Sequence, residues 1–280
     1  MIQYRFMQPS DIEAGLVLCR KAGWNQVEKD WKLFLESNPE GCWVALSKNR
    51  LVGTVATIRY QHHFSWIGMV LVHPDFRRHG IGSQLLQYGL YSLQDQETVK
   101  LDATSAGREL YLKLNFIDEC SLSRMSTTAL AGKVKIDGAE KIMKEDIAAI
   151  ATFDEEIFGA NRRFLLEWMW RAAPEHAFVV KYLNEIQGFC LARQGYTFSH
   201  IGPLVARDII VAKKLAAAVL DTCAGQPVII DVPNFNEAWK QWLNTIGFTV
   251  QRSFARMCRG SSASIGNYEK QFAITGPEFG

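Results

Sequence analysis

Arg77-Arg78-His79-Gly80-Ile81-Gly82 brings two arginines, a histidine and two glycines together in six residues, and Ser83 follows. That set suits an anion. Glycine has no Cβ, so a phosphate approaches backbone N–H groups closely, and the arginines add positive charge at the mouth. The pattern is neither of two better-known phosphate loops: a P-loop needs Lys-Ser/Thr after its last glycine and a dinucleotide fingerprint needs three glycines, whereas Ser83-Gln84 follows here.

The neighbouring elements decide whether those groups converge. Residues 67–72 form an apolar run after Trp66, and His73-Pro74-Asp75 ends it, because proline donates nothing to a ladder and restrains the residue before it. From Ile81 onward Leu85, Leu86 and Leu90 recur at helical spacing, so the glycines fall where a loop becomes a helix N-terminus. Unpaired amides and the positive end of the helix dipole face the loop there. Residues 99–116 then read as a strand, a turn and an amphipathic helix.

With these two segments the chain resembles the GNAT superfamily of acetyltransferases. The A motif of that family is a strand, Arg/Gln-x-x-Gly-x-Gly/Ala and a helix, and its B motif carries Leu-Tyr shortly before Gly-Phe; here Leu110-Tyr111 precedes Asn115-Phe116. The resemblance implies an acyl-CoA-dependent N-acyltransferase that uses acetyl-CoA, needs no metal, and acetylates a primary amine of a small molecule. It also implies that the backbone at Leu71 and Val72 bonds the pantetheine arm and acyl carbonyl, that Arg77, Arg78, His79, Gly80, Ile81, Gly82 and Ser83 cradle the pyrophosphate, and that Tyr111 protonates the departing thiolate. Two positions depart from the family: Thr104 stands where many members have asparagine, and Asn115 replaces the glycine of Gly-Phe.

Such a transfer needs aligned reactants, a path for the ammonium proton, donors for the oxyanion and an acid for the thiolate. Asp102 closes its strand where an acceptor would lie, which makes it the candidate to contact the amine or relay its proton; a turn or cap carboxylate accounts for it equally well. His62 and His63 follow a strand at 51–60, and at most one of two adjacent residues reaches a given face. Trp24, Asn25, Trp66 and Thr104 are the candidate acceptor contacts, while Trp31, Phe34 and Leu35 read as a core stripe.

Internal repetition sets the architecture. Phe64-Ser-Trp-Ile-Gly-Met69, Leu101-Asp102, Asn115-Phe116 and Arg124-Met125 are echoed about 130 positions later by Phe198-Ser-His-Ile-Gly-Pro203, Ile230-Asp231, Gly247-Phe248 and Arg256-Met257. Asp11-Ile12 and Asp146-Ile147 extend the register to the first helix of each copy, and in the first copy Ser10 and Glu13 form a capping box. The fold expected is α/β: tandem GNAT folds, each a mixed, mostly antiparallel sheet flanked by helices, with an acyl-CoA-binding domain at 1–130, a junction at 130–133 and a GNAT-like domain at 134–280. That second copy lacks the pyrophosphate loop, having Val205-Ala-Arg-Asp-Ile-Ile210 at the glycine motif and Leu243 at the tyrosine. Arg162 or Arg163 could hold a substrate carboxylate, although a solvated basic helix start explains both better.

Composition excludes several classes. A net charge of +2 over 280 residues, with basic residues scattered, argues against a nucleic-acid partner, and no apolar run approaches the ~20 residues of a membrane span. Six cysteines without metal-ligand spacing and an N-terminus without a signal peptide suit a reducing cytoplasm. The small residues from Gly260 to Gly266 read as a flexible link, and the segment after it either docks as a strand or lies over the second copy. Oligomeric state stays open. The other function compatible with these residues is an acyl-CoA-binding regulator or scaffold with little turnover, against which Tyr111 argues, since a sensor needs no acid for a thiolate.

Overall fold

The structure, a computed structural model, describes every residue except His62, Ala131, Lys133 and 261–265. The expectation for His62, part of the junction and most of the small-residue link therefore lie outside the described residues.

The first half runs β1 (Ile2–Phe6), α1 (Ile12–Lys21), α2 (Glu28–Ser37), β2 (Trp43–Ser47), β3 (Arg50–Tyr60), β4 (Phe64–Val72), α3 (Ile81–Tyr91), β5 (Thr98–Thr104), α4 (Ser105–Leu112) and β6 (Ile117–Thr127). The second half repeats that order with β7 (Glu140–Lys141), α5 (Ile147–Phe158), α6 (Arg163–Ala172), β8 (Phe178–Tyr182), β9 (Glu185–Gln194), β10 (Ser199–Ala206), α7 (Ile209–Thr222), β11 (Val228–Pro233), α8 (Glu237–Thr245) and β12 (Thr249–Gly260), and adds β13 (Gln271–Ala273). The repeated Asp-Ile pairs do the same work in both copies. Asp11 accepts the Gln8 amide at 2.8 Å and Asp146 accepts the Met143 amide at 2.9 Å, each a carboxylate reaching back to the chain ahead of its helix. The capping box read at Ser10 and Glu13 is thus corrected: Asp11 closes this turn, and it is fixed there by Arg5.

All described strands join one 13-stranded sheet in the order β1-β2-β3-β4-β5-β12-β6-β11-β10-β9-β8-β7, with β13 beside β10. The last strand of each copy has crossed into the other copy's sheet: β12 pairs with β5, β6 pairs with β11, and the two lie side by side. A cut at 130–134 therefore divides the sequence into repeats but does not divide the sheet.

The repeated dipeptides explain the register of that exchange. Arg256 stands opposite Asp102 and Arg124 opposite Asp231. Both pairs are bidentate, Arg256 donating to Asp102 at 2.9 Å twice and Arg124 to Asp231 at 2.8 and 2.7 Å. A one-residue slip would leave four buried charges unpaired, so the pairs specify alignment as much as stability. Helices α1, α2, α5 and α6 cover one face over a core shared by both halves, in which Tyr60 meets Phe158 edge-on at 4.9 Å. On the other face α3 and α4 cover one core and α7 and α8 another.

Candidate functional site

The site begins with a defect in β4. Pairing between β3 and β4 shifts register between Thr54 and Ala56, and opposite the shift Met69 takes a φ of +55°. A side chain is seldom found in that conformation, and the Thr54 hydroxyl fixes it by donating to the Met69 carbonyl at 2.7 Å. Beyond the bend β4 parts from β5. The two strands pair in parallel only at Ser65–Val99 and Trp66–Lys100.

The parted strands open a cleft of about 780 Å³, lined by residues 67–72, the start of α3, α4, and Trp24, Arg252 and Glu278 from farther away. The start of α3 supplies its positive end. Gly80 caps this helix at φ +77°, a left-handed conformation that glycine adopts without strain, and it brings no side chain to the helix amides. Gly82 and Ser83 border the cleft, as do Arg77 and Arg78. The corresponding helix of the second half, α7, is closed: Asp208 accepts from the Ile210 and Val211 amides at 2.8 and 2.9 Å, putting a carboxylate where an anion would bind. The splay next to it is filled as well, since β13 pairs with β10 and the Ile274 amide donates to the Asp231 carbonyl at 3.0 Å.

On the wall formed by α4, Tyr111 is 8% exposed, its ring edge-on to Phe116 at 6.0 Å. Among the described residues its hydroxyl makes no hydrogen bond to protein, and burial pushes the phenol up to about 12. It therefore keeps its proton across the physiological range. Asn115 takes φ +65°, a left-handed turn that asparagine tolerates nearly as well as the usual glycine, which accounts for that departure; Gly247 does the same in the second half.

Comparisons with known proteins agree with this geometry. The acetyltransferase (GNAT) family model matches residues 14–116, and a second model, an acetyltransferase (GNAT) domain, matches residues 150–273. The chain belongs to the GNAT acetyltransferase family, with two such domains. It is 27% identical over 258 residues to holothin acyltransferase of Pseudoalteromonas sp. (strain SANK 73390), spanning 92% of this chain and 87% of that protein. A putative acetyltransferase from Pyrococcus horikoshii is 25% identical and superposes with a TM-score of 0.83 over 100% of this chain and 96% of its own. A tandem GNAT protein from the clavulanic acid biosynthesis pathway shares the fold, with a TM-score of 0.63 at 14% identity over 94% of this chain and 100% of its own.

Within this GNAT cleft the sequence-based expectations divide. Leu71, Val72, Arg77, Arg78, Gly80, Ile81, Gly82, Ser83, Thr104, Tyr111 and Trp24 line it together. His79 is exposed and stands apart from the lining residues, and His63 lies in a turn away from it. Three assignments are corrected. Asn25 spends its side chain on the 196–198 turn, donating to the Phe198 carbonyl at 2.9 Å and accepting from the Thr197 and Phe198 amides, so it ties the two halves together and stands outside the residues that line the cleft. Trp66 is 1% exposed, its indole donating to the Pro277 carbonyl at 2.9 Å. Asp102 borders the cleft, but both its oxygens are held by Arg256, and burial raises its carboxyl against the pull of that arginine.

A structural Asp102 has a measurable consequence. Asp102→Asn should strand the buried Arg256 charge and cost about 3–5 kcal/mol in a denaturant titration, the size expected for breaking a buried pair. A variant of normal stability with reduced turnover would return Asp102 to the proton path. Neither arginine at the start of α6 waits for a substrate: Arg162 is 2% exposed and grips Asp154 at 2.7 and 2.9 Å, while Arg163 is exposed and paired with Glu167. Sequence reading missed Glu278 and Arg252, which reach the cleft through the tail and the exchanged strand. No local pattern signals either one.

Proposed function

We propose that the cleft of the first half transfers an acetyl group from acetyl-CoA directly to the primary amine of a small molecule. The observation that carries this reading is the uncapped N-terminus of α3, with Arg77 and Arg78 beside it, opening on a cleft that Tyr111 borders. When bound, acetyl-CoA supplies the activated acyl group. The amides at Gly82 and Ser83 and the two arginines fit its diphosphate, because backbone donors, helix dipole and charge converge there. Peptide groups of the β4 bend, freed from β5, are the natural partners for the pantetheine arm and the thioester oxygen. Tyr111 is the acid, since its proton is retained at neutral pH and its hydroxyl is free of other duties. The second half, with α7 capped by Asp208 and its splay filled by β13, contributes walls to the acceptor side instead of a second site.

Free-thiol release from acetyl-CoA with a panel of small amines tests this reading. Acceptor-dependent release and mass-shifted acetylamines are expected. Calorimetry that detects no acetyl-CoA binding would sink it, and release with longer acyl thioesters but not with acetyl-CoA would replace the donor.

A further inference from the structure

Residues 274–280 thread between the two halves at the mouth of the cleft. Tyr60 donates its hydroxyl to the Phe279 carbonyl at 2.5 Å, Trp66 its indole N–H to the Pro277 carbonyl at 2.9 Å, and Arg162 its guanidinium to Thr275 Oγ1 at 2.8 Å and the Gly280 carbonyl at 3.1 Å. Glu278 is consequently pressed onto β4. A Cβ added at Gly68 would stand 2.8 Å from the Glu278 carbonyl oxygen and 3.0 Å from its Cα, so the glycine beside the Met69 bend leaves room for this residue.

The Glu278 carboxylate meets its arginine through one oxygen. Its Oε1 accepts from Arg193 Nη2 at 2.5 Å, and Arg193 Nη1 donates to Asp30 Oδ1 at 2.7 Å. Glu278 is 3% exposed and lines the cleft; among the described residues its Oε2 makes no hydrogen bond of normal length, although the side chain of Gln26, which lines the same cleft, faces the carboxylate. A buried carboxylate oxygen left unpaired is costly, and a carboxylate only accepts. Two carboxylates also share one arginine, so the group as a whole has room for one more positive charge. Trp24 and Phe254 line the same cleft with aromatic surface that a cation favours.

We propose that Glu278 Oε2 receives the ammonium of the acceptor, and that the acceptor is accordingly an aliphatic amine, cationic in solution, in preference to a weakly basic arylamine. The inference rests on the amine-acetylating reading above and assigns its acceptor subsite to a residue outside both GNAT motifs. Burial alone would raise the Glu278 carboxyl, but Arg193 and His200, helped by the Gln26 side chain and the residue's own amide, outweigh it and hold it below its usual value, which keeps the anion present at neutral pH. Asp30, pushed by burial up to about 6, is the weaker acid of the two.

The test compares Glu278→Gln with Asp30→Asn, which removes the other carboxylate from the same Arg193 without touching the cleft. For Glu278→Gln the KM for alkylamines should rise about tenfold to a hundredfold, the worth of one hydrogen bond to a charged group, while arylamine KM and acetyl-CoA affinity by calorimetry stay unchanged. Asp30→Asn should leave alkylamine KM near the wild-type value. An unchanged KM in Glu278→Gln, an equal rise for both amine classes, or the same rise in Asp30→Asn overturns the assignment. Should Glu278→Gln not fold, a tertiary alkylammonium serves on the wild-type protein: it should compete with the amine where its neutral carbon analogue does not, and equal competition overturns the assignment. A wild-type protein that binds no acetyl-CoA or acetylates no amine overturns the parent reading too.

Discussion

Gly82→Leu should weaken acetyl-CoA binding by at least about a hundredfold, or about 2.7 kcal/mol, while leaving the melting temperature nearly unchanged. A Cβ at this position would meet Val72 Cγ2 at 3.5 Å and Leu110 Cδ2 at 3.6 Å, ordinary contacts that require no rearrangement. The remaining leucine atoms have only the cleft to enter, between the β4 and α4 walls. Leucine also favours a helix over glycine by roughly 0.8 kcal/mol, so α3 itself loses nothing. Affinity and stability are thus expected to separate, which an incidental misfolding could not produce. Calorimetry with acetyl-CoA and a thermal melt measure the two quantities. Unaltered affinity in a folded Gly82→Leu protein would mean that the phosphates lie elsewhere.

Tyr111→Phe should lower kcat by about a hundredfold to a thousandfold at saturating acetyl-CoA, the usual contribution of one positioned acid. Removing a hydroxyl that bonds to no protein group leaves the edge-on packing with Phe116 in place, so folding and acetyl-CoA affinity should persist. The sign of the pH dependence follows from burial. With the phenol pushed up to about 12, the acid form is complete at neutral pH and is lost only as pH rises through that value. Tyr111 should therefore impose no alkaline decline below about pH 10 in the pH profile of kcat. Undiminished turnover in Tyr111→Phe would remove the acid role and point to water as the proton source.

The fold and much of the lining of the candidate cleft were legible because they rest on local rules. Pro74 after an apolar run, Gly80 and Gly82 before a leucine-spaced helix, and Leu110-Tyr111 before Asn115-Phe116 each state their geometry within a few residues. The degenerate second copy was legible in the same way, from Asp208 where a glycine motif would stand. The repeated Asp and Arg dipeptides were visible as markers of duplication, but their partners were not. A sequence shows that Asp102 and Arg256 each recur, and only tertiary pairing shows that each aspartate bonds the arginine of the opposite copy. That hidden partnership is why the sequence left Asp102 open between a proton acceptor and a turn carboxylate and did not show the Arg256 pair that holds both its oxygens. Asn25 and Trp66 misled for a related reason: polar or aromatic residues near a cleft look like ligand contacts until the 196–198 turn and the 274–280 segment occupy them. Glu278 lay beyond any such reading, since its place depends on a chain that docks from far away in sequence.

The crossing of β6 and β12 has a consequence for how this molecule tolerates being taken apart. Expressed alone, residues 1–130 would carry β6 with no β11 to receive it and would expose an empty edge along β5, the kind of border that recruits a neighbour. Two such fragments could satisfy one another only by lending strands reciprocally, as a swapped dimer does. Joining both repeats in one polypeptide makes that reciprocal loan intramolecular and independent of protein concentration. Dilution, which dissociates a pair of identical partners, leaves this seam closed.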